Sequence, residues 1–137
     1  MSLIIVSNRL PYKIVNDVLV ESDGGLASCL KNIKYNFTWI GWLNSKKKIR
    51  SNIKIETIEL TISEQERYYD NFCNKFLWYV FHGDLSKYYE EMDYQFYQQV
   101  NLKFANAILK TIQDDNDIIW IHDYHLLHTA FILKQIF

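Results

Sequence analysis

With 137 residues, 49% of them hydrophobic and 16% aromatic, the chain is one domain or a piece of one with enough apolar material for a real core. A single Pro and four Gly exclude a disordered or low-complexity segment. Fifteen basic against sixteen acidic residues, a net charge of -1, give no reason to expect nucleic acid or an anionic membrane as partner.

The opening Leu3-Ile4-Ile5-Val6 reads as a buried strand; it runs straight into Ser7-Asn8-Arg9, too short for a signal-peptide core. No stretch reaches membrane-spanning length, so a cytoplasmic location is expected. Tyr12 to Val15 and Val18 to Val20 predict a hairpin around Asn16-Asp17, followed by a turn at Asp23-Gly24-Gly25 and a brief helix from Leu26 to Ile33. Cys29 and Cys73 have the spacing of neither a metal motif nor a redox pair and are expected to be reduced, packed thiols. Phe37 to Trp42 and Ile53 to Leu60 are strand-like, both expected to be largely covered. Between them Lys46-Lys47-Lys48-Ile49-Arg50 reads as a solvated loop.

Ser63-Glu64-Gln65-Glu66 has the form of a capping box and predicts a helix start. Tyr69, Phe72, Cys73, Phe76, Leu77 and Val80 then form a core-facing stripe, with Trp78 on the opposite side at about 100° per residue. A second helix carries Phe96, Val100, Phe104, Ile108 and Ile112 at every fourth residue, beside Ala105 and Leu109. The polar turn Gln113 to Asn116 leads into Ile118-Ile119-Trp120-Ile121, the composition of a strand covered on both faces. Helix followed by strand, repeated, predicts a doubly wound α/β domain. The last segment, from Tyr124 onward, predicts a helix through Leu126, Leu127, Ala130, Phe131 and Leu133 that stops at Phe137 without a cap. Its apolar face and the sheet edge are expected to be covered by further βα units.

The polar cluster His122-Asp123-Tyr124-His125 follows directly on that last strand, and ligands of open α/β sheets collect beyond the carboxyl ends of strands. His122 and Asp123 are therefore site candidates by position. A metal reading of His122, Asp123, His125 and His128 is weak, because a strand-to-helix junction sends these groups in different directions and no ligand cluster stands upstream. No metal is expected.

Val6-Ser7-Asn8-Arg9-Leu10-Pro11, Gly24-Gly25-Leu26, Trp39-Ile40-Gly41-Trp42, Tyr68-Tyr69 with Leu77-Trp78 and Phe81-His82, Val100-Asn101 with Phe104-Ala105, and Trp120 to Leu127 stand in the order and spacing of one family. The chain resembles the amino-terminal part of the trehalose-6-phosphate synthases, over essentially its whole length. That resemblance implies a partial Rossmann-like amino-terminal domain of a retaining GT-B glycosyltransferase, which transfers glucose from UDP-glucose to glucose 6-phosphate in trehalose biosynthesis. UDP-glucose would be the donor substrate, with no cofactor.

By the same resemblance Arg9 binds the acceptor phosphate, a task suited to a planar guanidinium fork, though a surface ion pair is the plainer reading. Gly24 and Gly25 would meet the donor diphosphate with bare amides at a helix start, though two glycines are more often only a turn. Tyr69 and Trp78, nine residues apart, match the acceptor-site aromatics. Tyr69 also fits the apolar stripe, and Trp78 suits one face of a pyranose. Asp123 matches the carboxylate that holds the acceptor and orients its attacking hydroxyl, and it also suits a helix cap.

Tyr79, Gly83 and Tyr94 stand where members usually carry Pro, Tyr and Trp, so the local shape near the acceptor is expected to differ. The carboxy-terminal donor-binding domain and its basic residues have no counterpart in these 137 residues, so the chain alone is expected to be inactive. Two readings remain: the front piece of an active synthase, or a non-catalytic sugar-phosphate-binding module that associates with the missing domain or a longer synthase subunit.

Overall fold

A computed structural model of the chain describes residues 1–16, 18–22, 24–30, 33, 35–43 and 53–137. Asp17, Asp23 and the cluster from Lys46 to Arg50 lie outside the described residues. The order is β1 (Leu3–Arg9), β2 (Tyr12–Val15), β3 (Val18–Glu21), α1 (Gly25–Leu30), β4 (Phe37–Trp42) and β5 (Lys54–Ile58). Then come α2 (Ile62–Glu64), a π-helix (Gln65–Leu77), α3 (Trp78–Phe81), α4 (Glu91–Thr111), β6 (Ile118–Ile121), a 3₁₀ turn (Tyr124–Leu126) and α5 (Leu127–Lys134).

Four parallel strands form the main sheet in the order β5-β4-β1-β6, and β2 and β3 pair as a separate antiparallel hairpin. Helices pack on both faces, as the doubly wound expectation requires. On one face Ile4, Val6, Ile40, Trp42 and Ile58 meet the π-helix and α4 through Tyr68, Phe72, Phe104 and Ile108. On the other Ile5, Leu10, Trp39 and Leu43 meet α1 through Leu26 and Leu30. Strand β1 sits between two neighbours, and its apolar run is accordingly buried from Ile4 to Val6, with Leu3 half-buried at its start.

Three expectations about burial change. Strand β6 is not covered on both faces: Ile118 is 51% and Trp120 47% exposed. It is the edge of the described sheet, and its Trp120 pairs with Ile5 on the α1 side, whereas Ile119 and Ile121 face the larger core. Strand β5 is the other edge and is only half covered, with Lys54 and Glu56 exposed. Cys29 is exposed and Cys73 buried, so only the second is a packed thiol.

The capping box lies two residues earlier than expected. Thr61 Oγ1 accepts from the Glu64 amide at 3.2 Å and Glu64 Oε2 accepts from the Thr61 amide at 2.7 Å. Both Thr61-x-x-Glu64 and Ser63-x-x-Glu66 satisfy the motif. The outcome follows from Lys103 of α4, whose ammonium lies 2.6 Å from Glu64 Oε1 and ties this helix start to its neighbour. Burial opposes ionisation of Glu64, yet Lys103 and the Thr61 amide together hold its carboxyl below the usual value.

The winding of the next segment also departs from expectation. Residues Gln65–Leu77 form a π-helix, closed by the Trp78 amide bonding five residues back to Cys73. A π-helix has i→i+5 bonds and about 4.4 residues per turn, so nine residues make about two whole turns instead of two and a half. Tyr69 packs against the larger core, while Trp78 is half exposed and belongs to neither core, as its place off the apolar stripe leads one to expect. Tyr68, not Tyr69, is the fully buried tyrosine, and Tyr69 sits at the rim of the core.

Strand β1 ends in an irregularity. Val6 pairs with Ile40 but Arg9 pairs with Trp42, so β1 carries one extra residue between them. Simple alternation would leave Arg9 on the side of Ile5 and Ser7. The bulge turns it to the opposite side, where its guanidinium meets Trp42 and Tyr69. Gly41 makes room for this crossing: a Cβ there would lie 2.7 Å from the Leu10 nitrogen and 2.9 Å from the Arg9 carbonyl carbon. Neither backbone atom can swing away as a side-chain tip can. Gly41→Ala is expected to destabilise the protein by about 1–3 kcal/mol, read from the shift in urea midpoint, because it overpacks a backbone contact.

Candidate functional site

The carboxyl ends of β1, β4 and β6 and the π-helix bring three of the predicted residues together. The Arg9 guanidinium carbon lies 4.8 Å from the centres of both the Trp42 and Tyr69 rings, which meet edge to face at 5.7 Å. Tyr69 then stacks on His125 at 5.7 Å, and His125 stacks on Tyr124 at 4.2 Å. Trp78 reaches the same platform from the next element, 6.5 Å from Tyr124, and is 45% exposed. Asp123 lies at the edge of this run with Oδ2 3.4 Å from His125 Nδ1 and a side chain 54% exposed.

A cleft of about 400 Å³ opens beside Arg9, lined also by Tyr12, Lys13, Trp42 and Gln65. Two cationic side chains, Arg9 and Lys13, border it, so it offers an anion charge-assisted hydrogen bonds. The aromatic run beyond offers flat apolar faces, and Asp123 offers a carboxylate at the far end. Such a sequence of groups suits a small polyhydroxylated ligand that carries a phosphate at one end.

Gly24 and Gly25 stand apart from the aromatic run. Their helix, α1, packs by Leu26 and Leu30 on the opposite face of the sheet. The Ser22 amide donates to the Pro11 carbonyl at 2.8 Å, which returns the hairpin to the carboxyl end of β1 and leaves the glycines just beyond it. His122 extends the β6 ladder by donating its amide to Val6 at 2.9 Å, and its ring lies 4.5 Å from Trp120. Among the described residues no three His, Cys, Asp or Glu side chains gather as a metal site.

Asp123 carries the most informative backbone in the chain. Its φ of 73° and ψ of 164° fall in a region that costs a non-glycine residue about 1–3 kcal/mol. Its Oδ1 accepts from the Tyr124 amide at 2.7 Å, so the capping expectation also holds. The negative charge of Asp123 acts on its neighbours, after burial, which is the larger cause. Together they push the Cys73 thiol well up and the Tyr124 hydroxyl up to about 12, while the Tyr68 hydroxyl is raised chiefly by its burial and then by Cys73, Tyr97 and Tyr69.

Sequence reasoning passed over several members of this arrangement. Trp42, Tyr124 and His125 belonged to quoted motifs without a role of their own beyond the metal reading, and Lys13 was seen only as part of a hairpin. Asn101 is fully buried among mostly apolar neighbours, a placement that the sequence itself did not mark.

The whole chain, residues 1–137, matches the family model described as glycosyltransferase family 20. The chain belongs to glycosyltransferase family 20. Among curated members it is 34% identical to a bifunctional trehalose-6-phosphate synthase/phosphatase of Thermoproteus tenax, over 98% of this chain and 21% of that protein. Among solved members it is similar to an alpha,alpha-trehalose-phosphate synthase (UDP-forming) from Burkholderia xenovorans in complex with glucose-6-phosphate, with a TM-score of 0.77 and 31% identity. That match covers 99% of this chain and 32% of the other. A family structure from E. coli bound with UDP-2-fluoro glucose gives a TM-score of 0.77 at 32% identity, covering 98% of this chain and 30% of the other. The chain thus spans between a fifth and a third of the length of the family members it matches.

Two outcomes follow for stability. With the cap lost in both, Asp123→Gly is expected to be more stable than Asp123→Ala by about 1–3 kcal/mol in urea unfolding, because only glycine relaxes at positive φ. The second concerns acid. Burial holds both His122 and His125 below the ordinary 6.5; at His125 Asp123 opposes that effect and Arg9 adds to it. The unfolded chain therefore binds more protons than the folded one just below pH 6.5, so stability is full above that pH and falls as pH drops. The thermal midpoint is expected to be flat above about pH 7 and to decline toward pH 5, with a shallower decline in the His122→Gln, His125→Gln double variant. Asp117, held at about 2 by the Gln113 and Ser2 amides, contributes only in a lower window.

Proposed function

We propose that this chain forms the acceptor side of a UDP-forming α,α-trehalose-phosphate synthase of GT-B architecture, which transfers glucose from UDP-glucose to glucose 6-phosphate. The observation that carries the proposal is the meeting of Arg9, Tyr69 and the Asp123–His125 turn at the carboxyl ends of the strands. It stands in a chain 31% identical to a synthase solved in complex with glucose-6-phosphate. Arg9, with Lys13 across the cleft, binds the phosphate. Tyr69 and Trp78 flank the sugar ring and exclude water, and Asp123 accepts hydrogen bonds from hydroxyls and orients the attacking one. Gly24 and Gly25 belong to the donor side in this reading, where bare amides suit a diphosphate.

Transfer requires the remaining two thirds or more of a family member's length, which brings the rest of the donor contacts and closes the cleft. A cytoplasmic setting is part of the same proposal, since both substrates carry phosphate charges that do not cross a bilayer unaided.

The test is Arg9→Ala in the protein that carries this chain. Loss of a charge-assisted pair is expected to raise KM for glucose 6-phosphate about 10- to 100-fold with KM for UDP-glucose unchanged, and Arg9→Lys to recover part of it. Unaltered glucose 6-phosphate dependence in Arg9→Ala would overturn the assignment.

A further inference from the structure

A residue held at φ 73° without being glycine persists only when its surroundings over-determine it. Two side chains of α4 supply that constraint. Tyr97 Oη donates to the Tyr124 carbonyl at 2.9 Å, and Asn101 Nδ2 donates to the His125 carbonyl at 3.1 Å. Tyr97 and Asn101 are one helical turn apart on one face, so successive turns of one helix grip successive carbonyls of the segment that follows Asp123.

The other end of the Asn101 amide is engaged as well. Its Oδ1 accepts from both the Thr129 amide and the Thr129 hydroxyl at 2.9 Å, which fastens the first turns of α5 to the same point. Asn101 and Thr129 are both wholly buried. A fully satisfied polar network in an apolar core rigidifies what it touches, and here it touches the backbone on the carboxyl side of Asp123.

We infer that Tyr97 and Asn101 are positioning residues of the acceptor site, which hold the Asp123–Leu126 turn in its strained form and so aim the Asp123 carboxylate at the sugar. The inference rests on the acceptor reading of Asp123 given above. Neither side chain bonds to Arg9, Tyr69 or Trp78 in the network described, and both act through the main chain of the turn.

The test is a double-mutant cycle on the protein that carries this chain, with the dissociation constant for glucose 6-phosphate measured by calorimetry. Tyr97→Phe removes one hydroxyl and keeps the ring that packs 4.6 Å from Phe72, so the variant is expected to fold. Its Kd for glucose 6-phosphate should weaken about 3- to 10-fold, the worth of one hydrogen bond, with binding of UDP-glucose unchanged. Asn101→Ala should act in the same direction and further, if it folds. In an Asp123→Ala background, where no carboxylate remains to be aimed, Tyr97→Phe should have no added effect on Kd.

An equal loss in both backgrounds, or no loss in either, overturns the clamp. Asp123→Ala alone separates the two ideas. If it leaves glucose 6-phosphate binding intact, the acceptor reading fails and the clamp's role goes with it. If it weakens binding while Tyr97→Phe does not, only the clamp fails.

Discussion

The contact on which this arrangement depends is the passage of the Arg9-Leu10 backbone over Gly41. Without a Cβ at that position the end of β1 approaches β4 closely enough to accept one extra residue, and the extra residue reverses the side on which Arg9 emerges. The guanidinium then rests in the corner between Trp42 and Tyr69 and does not lie over α1. A single missing methyl group thus decides which face of the sheet carries the cation. The Leu10 amide still bonds to the Trp42 carbonyl at 3.0 Å, so the bulge does not leave that donor without a partner.

Around this point the two faces divide the work. The larger core lies under the site and ties it together from below: Tyr68 donates to Asn8 at 2.7 Å, Tyr97 and Asn101 hold the turn after β6, and Lys103 fastens the start of the long helical segment. The smaller core supports the hairpin and the glycine pair. Trp39 donates its indole N–H to Ser7 Oγ at 2.7 Å on that side, so each of the three polar residues that end β1 is committed differently. Ser7 serves the smaller core, Asn8 the larger, and Arg9 the cleft.

Much of this was legible in the chain. Phe37 to Trp42 was delimited to the residue because a dense apolar run in a central strand has no competing period. The hairpin was readable from Asn16, which adopts a φ of 49°. The long helix α4 was equally plain: Val100, Phe104, Ala105 and Ile108 are buried as expected, and Tyr97 and Asn101 are buried beside them where Phe96 is only half-buried. What escaped the reading has physical causes. Periodicity arguments assume 3.6 residues per turn; they placed Trp78 off the core-facing stripe, where it is, but could not foresee the 13-residue π-helix that carries the stripe. Alternation along β1 assumes an unbroken ladder, and the bulge breaks it. The roles of Asn101 and Tyr97 are made by contacts 24 and 27 residues away, which no local pattern expresses. The resemblance to the synthases named Arg9, Tyr69, Trp78 and Asp123 without explaining how they meet; the bulge that turns Arg9 toward Tyr69 supplies part of that explanation.

The neighbours of Asp123 have a further consequence for how the site responds to acidity. Tyr68, Cys73, Tyr97 and Tyr124 are all pushed upward in proton affinity, chiefly by burial, while the two histidines are pushed downward. From neutrality to well above it, none of these six groups changes charge. A phosphate monoester, by contrast, takes up its last proton near pH 6. A sugar phosphate brought to this cleft at neutrality or above therefore arrives largely in its fully ionised form, and meets buried hydroxyls, a thiol and imidazoles that keep their own charge state over the same range.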